Sequence, residues 1–88
     1  MNLKQLIISF LAPRDPAAYP AKTIAMRLNA KKMLDHEITE DEVTIALRDL
    51  HRLEMVSMTV NRIDDGCVWQ IAREGVKEWT MQGRMSVV

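Results

Sequence analysis

Residues 38–56 read Ile38-Thr-Glu-Asp-Glu-Val43-Thr-Ile-Ala-Leu47-Arg-Asp-Leu50-His-Arg-Leu53-Glu-Met-Val56, and they hold a helix start, one apolar face and an exit into a β-like run. Thr39 precedes Glu42 by the spacing of a capping box: the hydroxyl accepts from the Glu42 amide and the carboxylate reaches back to the Thr39 amide, worth about 1 kcal/mol. Ile38 and Val43 stand where a hydrophobic staple closes over such a cap. Val43, Ala46, Leu47, Leu50, Leu53 and the stem of Glu54 then recur on one side at a period of about 3.6, and Asp41, Thr44, Ile45, Arg48 and Arg52 fall on the other. The first set is candidate core. The second is the face left for a partner.

Downstream, Val56, Met58 and Val60 alternate with Ser57, Thr59 and Asn61, the period of a half-buried strand. Asp64-Asp65-Gly66 is a turn signal, and the return run from Cys67 to Ala72 puts Cys67, Trp69 and Ile71 on one face, so a β-hairpin is expected. Helical spacing resumes through Val76 and Trp79. From Gln82 to Val88 the pattern stops and a frayed tail is expected.

Upstream, Met33–Glu37 forms a turn longer than that of a minimal helix-turn-helix, with Met33, Leu34 and Ile38 expected in the core. Before it, Pro20 suits the first position of a helix running to about Ala30, with Ile24, Ala25 and Leu28 inward. Lys22, Arg27, Lys31 and Lys32 collect on its outside and C-terminal end, where they either complement the helix dipole or touch phosphates. All three prolines lie between Ala12 and Pro20, an ordered connector. The first helix carries Leu3, Leu6, Ile7, Phe10 and Leu11 inward between Lys4, Gln5 and Ser9.

Eighty-eight residues, 48% of them hydrophobic and 27% charged, make one small globular domain. Twelve basic residues balance twelve acidic ones at a pI near 6.7, so a nucleic-acid site must be a local patch. A single cysteine, Cys67, fits a reducing compartment, and there is neither a membrane-length apolar run nor a signal peptide pattern, so a cytoplasmic location is expected. No phosphate loop, nucleophile elbow or apolar carboxylate pair argues for an enzyme. His36, His51 and Cys67 match no metal-ligand spacing, and no cofactor is expected.

The pattern Val43-x-x-Ala46-Leu47-x-x-Leu50-x-x-Leu53-x-x-Val56, followed by Gly66-x-x-Trp69-x-Ile71-x-x-Glu74-Gly75, resembles the winged helix-turn-helix family over about Leu3 to Trp79. The chain is most similar to the small winged-helix proteins of Mu-like phages and prophages, which share a closing Leu-Thr-x-x-Gly corner. Here that corner is Ile71-Ala72-Arg73-Glu74-Gly75, and Met55 replaces the glycine usual before the first wing strand. The resemblance implies a mainly α, α+β fold over residues 1–81: a three-helix core, a two-stranded wing and a short C-terminal helix, with 82–88 as the tail.

It also implies a DNA-binding protein, a phage or bacterial transcriptional regulator or an accessory factor in phage DNA transactions. Duplex DNA would meet Thr44, Ile45, Arg48 and Arg52 in the major groove, and Arg62 or Asn61 on the wing. Arginine can grip guanine O6 and N7 for about 1–3 kcal/mol of discrimination. Glu40, Asp41 and Glu42, however, occupy the end of the helix that normally enters the groove first, where carboxylates favour the helix dipole and repel phosphate. Weak, sequence-dependent binding by a homodimer then follows more naturally than tight monomeric binding, and the alternative is a protein-interaction module that binds no DNA and uses Ile45 with exposed methionines, or pairs a wing edge with another chain.

Overall fold

The computed structural model describes residues 2–61 and 66–84, so Arg62 and the Asp64-Asp65 turn pair lie outside the described residues, as does the end of the expected tail. Four helices and one hairpin follow in the order α1 (Leu3–Leu11), a 3-10 turn (Ala12–Arg14), α2 (Ala21–Ala30), α3 (Glu40–Arg52), β1 (Val56–Asn61), β2 (Gly66–Ile71) and α4 (Arg73–Met81). The strands pair antiparallel from Val56 opposite Ile71 to Asn61 opposite Gly66.

Asn2 starts α1 with a full capping box, its Oδ1 accepting from the Gln5 amide at 2.9 Å while Gln5 Oε1 accepts from the Asn2 amide at 3.0 Å. Every residue from Leu6 to Leu11 is buried, which makes α1 the axis of the core and not a helix with one wet face. Ser9, expected outside, is therefore inside, because α2, α3, α4 and β2 all pack on α1. Its hydroxyl has no hydrogen-bond partner among the described residues.

The connector is ordered by contacts. Arg14 lies with its guanidinium 4.2 Å from the Phe10 ring centre and donates from Nη1 to the Phe10 carbonyl at 2.7 Å, covering a carbonyl of the last turn of α1. Tyr19 meets Phe10 edge to face at 5.3 Å and exchanges both backbone hydrogen bonds with Trp69, at 2.9 and 2.8 Å. The far edge of β2 is thereby bridged at Trp69. Pro20 stands at the N-cap of α2 with extended backbone, one residue earlier than expected, and Ala21 is the first helical residue.

Asn29 fixes the turn between α2 and α3: its Nδ2 donates to the Ile38 carbonyl and its Oδ1 accepts from the Ile38 amide, both at 2.7 Å. That clamp holds Ile38 in the core beside Val43. Leu34 packs partly against the same core, whereas Met33 stays 40% exposed and does not tuck in as expected. Lys32 turns the chain away there with φ of 51°.

Two expectations for the end of α3 change. Leu53 is 56% exposed, and Glu54 is also exposed, because the helix stops at Arg52 and the chain reverses. Glu54 takes φ of 60°, its amide donates to the His51 carbonyl at 3.0 Å, and the Met55 amide donates to the Leu50 carbonyl at 2.9 Å. This is a Schellman motif with glutamate at the position that favours glycine. The same motif ends α4, where Gly83 does hold that position (φ 83°), followed by Arg84, whose amide donates to the Trp79 carbonyl at 3.0 Å.

Gly75 explains the glycine of the closing corner. A Cβ there would run into the Met55 carbonyl oxygen and the Ile71 side chain, so only glycine lets the first turn of α4 rest on the base of the hairpin. The Met55 carbonyl also accepts from the Ala72 amide at 2.9 Å, tying the strand bases to the start of α4.

Candidate nucleic-acid interface

A groove of about 470 Å³ opens between α3, the start of α2 and the hairpin. Thr44, Arg48, His51, Arg52 and Glu40 line it from α3, Pro20 and Ala21 from α2, and Met58, Cys67 and Trp69 from the strands. The α3 residues come together because positions 40, 44, 48 and 51 follow one another at helical spacing on the side away from Val43, Leu47 and Leu50. The hairpin contributes the face carrying the pairs Val56–Ile71, Met58–Trp69 and Val60–Cys67. Burial on that face fades towards the tip. Val56 and Ile71 are inside, Met58 and Val60 are 41% and 55% exposed, and Cys67, expected to share the inward face with Trp69, is exposed.

Charge in the groove is set by a few pairs. Arg52 Nη1 lies 3.3 Å from Asp49 Oδ1, whose other oxygen is 3.4 Å from Lys4 Nζ, so Asp49 links α3 to α1 and partly neutralises Arg52. Arg48 is exposed and makes no ion pair among the described residues. Thr44 donates its hydroxyl to the Glu40 carbonyl at 2.9 Å, which leaves its methyl group and an acceptor lone pair for a partner. His51 bonds to no carboxylate among the described residues; its ring meets Trp69 edge to face at 6.2 Å.

The acidic first turn of α3 is partly engaged. Glu42 accepts the Thr39 cap through its amide donation to Oγ1 at 3.1 Å, but its carboxylate bonds the Thr39 hydroxyl (3.3 Å) and His36 Nε2 (3.0 Å), not the Thr39 amide, so the expected box is half formed. His36 also places Nδ1 3.3 Å from Asp35 Oδ1. The hydrogen bond to Glu42, then that to Asp35, raises the His36 pKa above its usual 6.5. The same bond from His36 lowers the pKa of Glu42. Glu40 and Asp41 remain exposed.

The remaining candidates are spread out. Ile45, 61% exposed, lines a second, shallower groove with Asn2, Leu3, Lys4, Glu42, Ala46 and Asp49, on the flank of α3 that faces α1. Lys22 is exposed beside Ala21 at the groove end of α2, and Arg27 is exposed on its outer side. Lys31 and Lys32 are exposed at the other end, roughly 14 Å along the axis at 1.5 Å per residue. Lys32 lines a separate depression with His36. Asn29 and Tyr19 position α3 and the hairpin without any role expected from sequence, and Glu54, whose stem was expected in the core, instead turns the chain between them. Their signals were faint: a polar residue in the last turn of α2, an aromatic before Pro20, and a charged residue where the helix pattern ended.

No family model and no curated relative matches the sequence. Among solved structures the chain is similar to Lactococcus lactis ZitR, in a double-substituted variant in apo form, with a TM-score of 0.68 at 20% identity, covering 91% of this chain and 53% of that one. The fold is a winged helix. A second structure of the same variant matches at a TM-score of 0.68 and 20% identity over 94% of this chain and 51% of that one. This chain thus spans about half the length of the ZitR chain, and at that identity the likeness is one of fold. Among the described residues no cluster of histidine, cysteine and carboxylate could hold a metal ion, and no helix is long and apolar enough to cross a membrane.

Proposed function

We propose that the domain binds duplex DNA as a small regulator or accessory factor, presenting the groove face of α3 to the major groove. The observation that carries this is the convergence of Thr44, Arg48 and Arg52 in one open groove, with Arg48 unpaired among the described residues and exposed. Arg48 is then the base-reading residue and Arg52 a phosphate contact that must exchange Asp49 for the backbone. Lys22 lies at the adjoining end of α2, whose first turn has no side-chain cap and leaves amides able to donate to a phosphate. Lys31, Lys32 and Arg27 fit phosphates further along the duplex, and the role of Arg62 belongs with the wing tip.

The acidic first turn sets the character of the binding. Glu40 and Asp41 are exposed at the leading end of α3, where carboxylates repel phosphate, so affinity is modest. The narrower setting, a phage or prophage protein, is supported by the sequence resemblance alone. A titration of labelled duplex DNA by fluorescence anisotropy at several salt concentrations tests the proposal. Binding at low salt with a negative log–log salt slope is expected, and no binding at any salt would sink it.

A second reading, docking of a partner protein, is favoured by the exposed Ile45 over its own groove on the other flank of α3. In that case Ile45→Glu abolishes complex formation while Arg48→Ala leaves it intact.

A further inference from the structure

One edge of the hairpin is bridged at Trp69 and the other is open. Trp69 turns its amide and carbonyl away from β1 and spends both on Tyr19. Its cross-strand partner Met58 therefore also points its backbone groups away from the hairpin, and so does Val60 two residues on. The Ala72 amide, donating to the Met55 carbonyl, fixes the same alternation from the base of the strand. The sheet has two strands only among the described residues, and no partner bonds the outward amides and carbonyls of Met58 and Val60.

Residues Ser57 to Val60 are all exposed, and this edge carries none of the usual protections: no lysine, no proline and no charge in Val56-Ser-Met-Thr-Val-Asn61. The segment is also complementary to itself. Laid antiparallel about a two-fold axis through Thr59, Met58 faces the partner's Val60 and Val60 faces the partner's Met58, each pair exchanging two backbone hydrogen bonds. Two side chains left 41% and 55% exposed then cover one another, and Thr59 meets the partner's Thr59 as a hydroxyl pair on the opposite face.

We propose that the open edge of β1 is a homodimer interface, through which residues Met58–Val60 pair antiparallel with the same residues of a second copy of this chain. Because directly opposed residues point to the same face, the two grooves open on the same side of a continuous four-stranded sheet. That arrangement suits a two-fold related pair of ligand half-sites, although the dimer itself rests only on the hairpin and holds whether or not DNA is the ligand.

The test is light scattering across a concentration series, with amide hydrogen exchange followed residue by residue on the full chain. A dimer that forms with concentration is expected, with exchange at Met58 and Val60 slowing by about tenfold while Ser57 and Thr59, already bonded to β2, change little. Thr59→Lys sets two ammonium groups against each other and should leave a folded monomer. Met58→Pro, which removes one outward amide at an edge position that tolerates proline, should do the same. A wild-type chain that stays monomeric at every concentration overturns the proposal. So does a dimer that survives both substitutions, or a wild-type dimer in which Met58 and Val60 still exchange freely. Pairing with an extended segment of some other protein would show as the first of these outcomes.

Discussion

Replacing Asn29 by alanine removes the clamp that sets α3 against α2, and the cost can be worked from the structure. Two hydrogen bonds of 2.7 Å to the Ile38 backbone are lost. At about 0.5–1.5 kcal/mol net for each, the loss is about 1–3 kcal/mol. Alanine is the better helix former by roughly 0.6 kcal/mol, and Asn29 sits in the last turn of α2, so that gain offsets part of the loss. The net expectation is destabilisation of roughly 0.5–2.5 kcal/mol. For a domain of this size about 1.5 kcal/mol corresponds to a fall in Tm of roughly 6–12 °C. Urea unfolding followed by tryptophan fluorescence reads the equilibrium, and amide exchange at Ile38 reads the site, since its donor is then left to water. Asn29→Asp is the companion variant: it keeps the acceptor for the Ile38 amide and sets a carboxylate against the Ile38 carbonyl, so it should cost at least as much as alanine. If Asn29→Ala were as stable as wild type and Ile38 exchange unchanged, the clamp would not be what positions α3.

Gly75→Ala should destabilise by about 1–3 kcal/mol in chemical denaturation, despite the better helix propensity of alanine, because the Met55 carbonyl is backbone and cannot step aside. Equal or higher stability would mean α4 can lift off the hairpin base at little cost. Glu54→Gly should stabilise by roughly 0.5–1 kcal/mol, since the residue sits at φ 60° and its side chain is exposed; a loss of stability would assign the glutamate a contact of its own. The His36–Glu42 pair gives a pH signature. The raised pKa of His36 adds stability that is complete below pH 6.5 and is lost as pH rises through the folded value, while the lowered pKa of Glu42 adds stability present above pH 4.5 and lost as pH falls through its folded value. Thermal melts should show this contribution between those limits, and His36→Gln should flatten the alkaline side; an unchanged profile contradicts the pairing.

The fold was legible where periodicity and caps agreed. Thr39, Val43, Leu47 and Leu50 set the start and phase of α3, and the alternation from Val56 to Val60 marked β1. Legibility failed where tertiary cover decided. Ser9 looks like an outward residue on an amphipathic helix, yet α1 is wrapped on all faces, which no local pattern reports. Leu53 keeps the apolar repeat of α3 but falls at its C-cap, where the chain reverses through Glu54 and the helical phase no longer applies. For the candidate site, Thr44, Arg48 and Arg52 could be grouped from helical spacing alone, and they do share a groove. Ile45 could not be separated from them by spacing, because only the placement of α1 sends it to a different groove. The lysines of α2 likewise read as one patch in sequence, whereas the helix length parts Lys22 from Lys31 and Lys32.

Anisotropy titration of wild type and Arg48→Ala over a salt series is the direct check that the groove face of α3 reads duplex DNA. Wild-type log affinity should fall by about 0.9 per phosphate contact for each unit of log salt. Arg48→Ala should lose sequence preference, by about 1–3 kcal/mol at the contacted base pair, while keeping most of the salt slope. Binding that is absent even at low salt, or that is indifferent to Arg48, would contradict it.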